Sequence, residues 1–289
     1  MSESVQSMPP ALYVVATPLG NLADITLRAL DVLRAADLVA AEDTRHTRRL
    51  LDHHCIAARL LAAHQHNERE AGAGIVAAIA EGKRVALVSD AGTPAVSDPG
   101  ARIVRAVSDA GLRVIPVPGP SALTAAVSAS GLTDAHLLFC GFLPARAAAR
   151  GEAIEALKPV DAALVFYEAP HRVAETIADL AARLEPQREI VVARELTKLF
   201  ESITHMPLAE APAWLAADPN RARGEFVLLV SAPPPRQGLA AGTERVLAAL
   251  LAELPLKQAV KLAAQITGEP RNALYEMALT IKGEAPSAL

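Results

Sequence analysis

VALVSDAGTPAVSDPG (residues 85–100) runs from a short apolar strand straight into a loop of small residues, acids and prolines. Residues 85–89 carry the apolar run of a buried strand, and the loop after them lets a ligand approach the backbone and its free N–H groups. The same grammar recurs on both sides. Further strands are predicted over 12–16, 38–41, 58–63 and 113–117, and helices over 26–36, 67–81 and 99–110. Gly82 and Gly111 close the last two of these helices. Strands alternating with helices at this spacing predict a parallel sheet covered on both faces. Ligands of such sheets bind beyond the carboxyl ends of the strands. Four of those ends carry turn-rich or acidic loops: TPLGN (17–21), EDTR (42–45), SDAGTPAVSDPG (89–100) and PGPSA (118–122). Together they predict a ligand site at one sheet edge.

The second half has a different rhythm. Strands are predicted over 135–142, 162–167, 189–193, 199–205 and 225–231, and helices over 145–157 and 170–184. No helix separates 189–193 from 199–205, so an antiparallel pair and a mixed sheet are expected. The fold class is therefore α/β, with an N-terminal α/β domain over 11–118 and a C-terminal α/β domain over 119–232. SAPPPRQGLAAGT (231–243) has linker composition. A linker is placed at 233–243, followed by a three-helix, helix-turn-helix-like module over 244–289, with helices at 244–253, 257–266 and 271–281. That module's five basic and five acidic residues leave no electrostatic footprint for nucleic acid.

Composition excludes several classes. At 289 residues, more than one domain is expected. A net charge of −4 rules out a polybasic protein, so any nucleic-acid contact must be a local patch. Aromatic residues at 3% argue against base-stacking platforms. Cys55 and Cys140 form no CxxC pair, which excludes a zinc ribbon and a disulfide framework. No leader-like start and no membrane-length apolar run is present, so a cytoplasmic protein is expected. The glycine fingerprints of dinucleotide folds and P-loops are missing, which disfavours NAD and ATP sites of the usual design. His53, His54 and Cys55 read as a helix end, and His64, Gln65 and His66 as a polar loop, so no metal is expected.

The loops carry long, chemically unusual motifs. VATPLGNLADIT (15–26), AAEDTRHTRRLL (40–51), ALVSDAGTPAVSDPG (86–100), PVPGPSA (116–122), GFLP (141–144), FYEAPHR (166–172), ARELTKLFE (193–201) and RGEFVLLV (223–230) resemble the tetrapyrrole-methylase-like, class III family of S-adenosylmethionine-dependent methyltransferases, in its small-subunit ribosomal RNA branch. The resemblance runs from about residue 12 to 284. It implies methyl transfer from S-adenosylmethionine to the ribose 2′-hydroxyl of a cytidine in 16S ribosomal RNA, at the decoding centre. It also implies two α/β domains with the cofactor in the cleft between them, and a homodimer. For the cofactor it implies Pro18, the 90–96 stretch (Asp90, Ala91, Gly92, Thr93, Val96), Ser121 and Ala122, with Phe166 and the 224–226 region as further contacts. SDAGTP stands here where the tetrapyrrole methylases have a shorter GDP.

Methyl transfer is an in-line displacement, and the protein must hold the attacking oxygen about 3 Å from the methyl carbon. A ribose hydroxyl is weakly acidic, so a proton acceptor helps. Asp43 and Glu168 are the candidate acceptors. Arg45, Arg172, Arg194 and Lys198 stand in apolar surroundings and are the candidate RNA contacts, because cations suit phosphate. The alternative for these charges is a structural ion-pair network. Alternatives for the function are a class III methylase acting on a tetrapyrrole or modified-protein acceptor, and a non-catalytic assembly factor that binds RNA through the helical tail.

Overall fold

The structure is a computed structural model that describes residues 8–64, 67–234 and 242–282. Gln65 and His66, and most of the expected linker, lie outside the described residues. Residues through Ala232 form one compact unit and those from Pro233 a second.

The first unit contains two sheets. Strands β1 (Ala11–Val15), β2 (Leu38–Ala41), β3 (Leu60–Ala62), β4 (Arg84–Val88) and β5 (Val114–Val117) form an all-parallel sheet in the order β3-β2-β4-β1-β5. Both faces are apolar because alternate residues point to opposite sides. Tyr13, Val15, Val39 and Val88 meet Leu30 and Leu33 of α1 (Leu27–Ala35) and Leu51 of α2 (Thr44–His53) on one face. Leu12, Ala40, Val85 and Leu87 meet Ile75 and Ile79 of α3 (Glu68–Ala80) and Ile103 and Val107 of α4 (Ala101–Asp109) on the other. The neighbours β1 and β4 thus feed helices on opposite faces. Their exit loops diverge and leave a crevice at the carboxyl ends, the topological switch point of the sheet.

The chain then leaves this sheet. Helix α5 (Ala122–Ala129) packs Ala126 against Val165, Val191, Ala193 and Val227 of the second sheet. That sheet contains β6 (Leu137–Phe142), β7 (Ala163–Glu168), β8 (Glu189–Arg194), β9 (Ser202–Pro207) and β10 (Phe226–Val230), in the order β6-β7-β10-β8-β9. Only β6 and β7 are parallel; the other pairs are antiparallel, including the β8–β9 pair. Its other face packs on α6 (Ala147–Leu157), α7 (Val173–Arg183) and α8 (Ala211–Ala216). A bulge at Cys140, with Gly141 at φ 65°, shifts the β6 register and pairs Phe142 with Tyr167.

In the second unit, α9 (Thr243–Glu253), α10 (Leu256–Thr267) and α11 (Arg271–Lys282) enclose their own small core of Leu247, Val260, Ala263, Leu274 and Ala278. Among the described residues no helix is long and apolar enough to cross a membrane.

Helices α5 and α8 are absent from the elements that the sequence pattern predicts, and of α2 only the end at His53 and His54 is read from the sequence. The predicted strand at 199–205 begins only at Ser202, because residues 195–201 form a tight loop with Glu195 and Thr197 at positive φ. The helix predicted over 99–110 starts at Ala101, because Gly100 turns the chain at φ 127°.

Candidate active site

The loops after β1 and β4 are stitched together at the switch point. Thr17 and Gly92 exchange backbone hydrogen bonds, each N–H to the other carbonyl at 2.9 Å. The Thr17 hydroxyl also donates to the Ser89 carbonyl at 3.1 Å. Gly92 holds φ 78°, and a Cβ there would come within 3.2 Å of Leu19, so the loop needs glycine at this point. Ala95 and Ser97 adopt φ 65° and 63° without being glycine. Such backbone strain persists where surrounding structure fixes it, commonly at ligand sites. Part of the fixing comes from Glu68, whose buried carboxylate accepts the Gly100 N–H, and from Thr93, whose hydroxyl donates to the Pro120 carbonyl at 3.0 Å.

These loops and the ends of β7 and β10 enclose a cavity of about 270 Å³. One side is Ala91, Gly92, Thr93 and Val96, with Ser121 and Ala122 at the start of α5. The other side is Phe142, Tyr167, Glu168, Leu196 and Glu225. Tyr167 is anchored by accepting the Leu123 N–H at 3.0 Å and by edge contacts with Phe139 and Phe142. The ionisable lining is acidic: Asp98, Glu168 and Glu225, with no Lys or Arg in the same lining. A small-residue wall, exposed backbone and acidic lining fit a nucleoside-bearing organic cation.

Burial raises the Asp98 pKa to about 6, helped by the neighbouring charges of Glu42 and Asp90 and opposed by a hydrogen bond with Ser89. Glu42 is raised for the same leading reason, burial, with Asp90 next. Asp90 itself accepts the Asp43 N–H at 3.1 Å and so ties the β4 loop to the start of α2.

A second cavity, of about 530 Å³, adjoins the first along Leu19, Ala91 and Glu225. Thr17, Pro18, Gly20 and Asp90 form one side of it, with His46 and Arg49 of α2 and Lys198 also in its lining.

Of the nine residues expected at the cofactor, six line the first cavity: Ala91, Gly92, Thr93, Val96, Ser121 and Ala122. Pro18 and Asp90 line the second instead. Phe166 lines neither. It is fully buried in the core against α6 and α7, because alternation along β7 sends Tyr167, not Phe166, to the cavity face.

The expected proton acceptors are both engaged. Asp43 caps α2 and grips Arg45 through both oxygens, at 3.1 and 2.8 Å. That guanidinium holds the Asp43 carboxyl far below the usual carboxylate range. Glu168 lines the first cavity, but its buried carboxylate accepts from the Thr176 hydroxyl at 2.6 Å and from the Ala169 N–H at 2.9 Å, and lies 3.4 Å from the Arg172 guanidinium.

Of the expected RNA cations, Arg172, Arg194 and Lys198 are bonded into the fold, while the side chain of Arg45 is 88% exposed and held by its near neighbour Asp43. Arg45 belongs to Asp43, and Arg172 donates to the Leu143 carbonyl. Arg194 donates to Ser202 Oγ and to the carbonyls of Asn220, Arg223 and Phe200, at 3.1 to 3.2 Å. Lys198 bridges Glu195 and Glu225 at 2.9 and 2.8 Å while its stem crosses Gly20, where a Cβ would meet it at 2.5 Å. Of the four, Lys198 alone lines either of these two cavities. From the expected 224–226 region, Glu225 and Phe226 line the first cavity; sequence reasoning did not single out Asp98, Tyr167, His46 and Arg49. Asp98 and Tyr167 lie inside the family-like motifs, and the i, i+3 spacing of His46 and Arg49 is the available signal for a shared helix face.

The description "Tetrapyrrole (Corrin/Porphyrin) Methylases" matches residues 11–212, and "RsmI C-terminal HTH domain" matches residues 237–282. A protein of Pseudomonas aeruginosa named ribosomal RNA small subunit methyltransferase I is 51% identical over 95% of this chain and 98% of its own length. One of the same name from Escherichia coli O157:H7 is 48% identical over 97% and 99%. Among solved structures, the methyltransferase CobJ aligns with a TM-score of 0.58 at 21% identity, over 78% of this chain and 96% of its own. A uroporphyrin-III C-methyltransferase from Thermus thermophilus complexed with S-adenyl homocysteine aligns at 0.54 and 18%, over 76% and 97%. These two likenesses are of fold. The family match over most of the chain, joined to relatives this similar over nearly its whole length, carries the assignment: the chain belongs to the tetrapyrrole methylase family and, within it, to the ribosomal RNA small subunit methyltransferase I family.

Proposed function

We propose that this chain methylates the ribose 2′-hydroxyl of a cytidine in 16S ribosomal RNA, at the decoding centre of the small subunit, as a cytoplasmic homodimer. S-adenosylmethionine is the methyl donor of the family, and when bound it supplies a methyl group already activated on a sulfonium. The observation that carries the reading is the first cavity: a small-residue, acid-lined hollow at the switch point, sharing Leu19, Ala91 and Glu225 with a second cavity whose lining holds Arg49, His46 and Lys198 together with Asp90 and Glu225. A positively charged donor suits the first and a polyanion suits the second.

In this reading Ala91, Gly92, Thr93, Val96, Ser121 and Ala122 hold the cofactor, with Asp90 and Pro18 behind them. Leu196, Phe226 and Val227 exclude water from the opposite side. Asp98 is the proton acceptor, in place of Asp43 and Glu168, whose oxygens are committed. Its pKa of about 6 leaves it ionised yet basic near neutral pH. With S-adenosylmethionine held in the first cavity, its sulfonium would supply the methyl group to the ribose oxygen and leave as the neutral thioether, and Asp98 would take up the hydroxyl proton. Lys198 stays in the second cavity, its charge balanced by Glu195 and by Glu225, which lines both.

The test is transfer of labelled methyl from S-adenosylmethionine to small subunits, naked 16S RNA and a tetrapyrrole precursor, followed by nucleoside mass spectrometry. The expected product is 2′-O-methylcytidine. Label on the tetrapyrrole alone, or a methyl on a base, overturns the proposal.

A further inference from the structure

The second cavity has a feature that the cofactor does not need. His46 and Arg49 stand one turn apart on α2 and both line it, with the buried Leu50 beside them. Arg49 is exposed, and among the described residues it has no hydrogen-bond or ion-pair partner. Its neighbours on the helix differ. Arg45 is chelated by Asp43, and Arg48 donates to the Ala58 carbonyl at 3.2 Å. Lys198, also in the lining, is outnumbered by Glu195 and Glu225. Arg49 is therefore the guanidinium in this lining that keeps all its donors for a ligand. Pro18, Leu19 and the half-exposed Leu22 supply an apolar surface beside it. At about 530 Å³ the space falls within the usual range for an organic ligand, roughly 300–1,000 Å³.

We propose that the second cavity receives the acceptor nucleotide, turned out of its RNA strand, with a phosphate of that nucleotide on Arg49 and His46. This rests on the ribosomal RNA reading above. The chemistry comes from the lining. A guanidinium fork binds phosphate oxygens in pairs. The apolar surface of Pro18, Leu19 and Leu22 accepts a base face, and the shared wall brings the ribose to the cofactor side. A nucleotide left in a duplex does not fit a cavity of this kind, and enzymes acting on one nucleotide take it out of the stack.

The experiment uses the full chain and compares wild type, Arg49→Gln and Arg49→Lys. It measures kcat and KM for methyl transfer to small subunits or 16S RNA, whichever the wild type labels, RNA affinity against salt, and S-adenosylmethionine affinity by calorimetry. Arg105→Gln is the charge control, since Arg105 lies on α4, across the first sheet from α2, and pairs with Asp109. For R49Q the expected result is an RNA KM raised roughly tenfold, the value of one charge-assisted phosphate contact. The slope of log affinity against log salt should fall by about 0.7–1. R49K should recover part of the affinity and most of the slope, as a point charge without the fork. Cofactor affinity should stay within twofold in every variant, and R105Q should change nothing beyond twofold. If wild type methylates RNA and R49Q keeps its KM and salt slope, the inference is wrong while the functional reading stands. If wild type labels no RNA, the reading itself falls and takes the inference with it.

Discussion

At the residue scale the decisive question is which polar atoms are still free once the fold has used its share. Asp98 makes a two-part prediction. Its folded pKa of about 6 stands above its ordinary 3.8, because burial and the Glu42 charge disfavour the anion. Between those values the folded state binds more protons than the unfolded chain, so stability falls as pH rises from about 4 to about 6 and is level above. Asp98→Asn should abolish that fall and leave the protein about 1–2 kcal/mol more stable at pH 7, after discounting for partial exposure. Thermal melts across pH read this directly. The same variant should lose about 100-fold or more in kcat, and the wild-type rate should drop tenfold per unit below about pH 6. A D98N enzyme with wild-type kcat removes the proton-acceptor role. Arg194 makes the contrasting prediction. Its four bonds hold the 195–201 loop and the 220–223 turn, so Arg194→Ala should weaken cofactor and RNA binding together and lower stability by about 2–3 kcal/mol. Calorimetry showing RNA affinity alone reduced would restore the direct RNA contact. Sequence chemistry puts cations in the right loops but cannot separate Arg45 from Arg49. Only the three-dimensional pairing with Asp43 shows which one is free.

At the element scale, buried charge joins helices that have little else to choose between them. Arg150 on α6 is 2% exposed and donates to Glu175 and Asp179 on α7, at 3.0 and 2.6 Å, and to the Ala145 carbonyl. Removing one partner of a buried pair costs about 3–5 kcal/mol when the other is left buried. Glu175 is 68% exposed and Asp179 25%, so the stranded acids regain water. Arg150→Ala should therefore cost about 2–3 kcal/mol, and Glu175→Gln under about 1 kcal/mol. Denaturant titrations separate the two, and equal losses would refute the assignment of the energy to Arg150 burial. Elements are legible in proportion to how much of their apolar face the sequence displays. The five strands of the first sheet are, since runs of Val, Leu, Ile and Ala sit between turn residues. Of helix α2 only the end at His53 is, because its ten residues, TRHTRRLLDH, bury only Thr47, Leu50 and Leu51 and mask the helical period. Helix α5 is hidden for the opposite reason: ALTAAVSA carries no charged face to set the phase. Part of the 195–201 loop reads as strand because Leu199 and Phe200 look buried in sequence yet stand 89% and 67% exposed.

At the scale of the whole molecule, the division of labour is drawn by where the cores end. Both cavities and both sheets belong to the unit that closes at Ala232, and the helices from Thr243 onward have a separate core of five buried residues. The family match for the methylase fold likewise ends before the linker, at residue 212. A chain stopped after Ala232 keeps every strand, every cavity-lining side chain and the buried Arg188, which is anchored by the carbonyls of Lys158 and Ser231. The described hydrogen bonds of the 17–21, 89–100 and 118–122 loops all lie within that stretch, so this chain should unfold cooperatively and bind S-adenosylmethionine within twofold of the full protein. Scanning calorimetry and cofactor titration are sufficient to check it. The module's balanced charge, five basic residues against five acidic ones, provides no electrostatic pull on RNA. The salt slope of RNA binding should accordingly be retained in the shortened chain, since the cations that set it, Arg49 foremost, remain. A shortened chain that aggregates would show that the module covers apolar surface of the first unit. One that folds and binds cofactor but loses the salt slope would move the RNA contacts from the second cavity to the helical module.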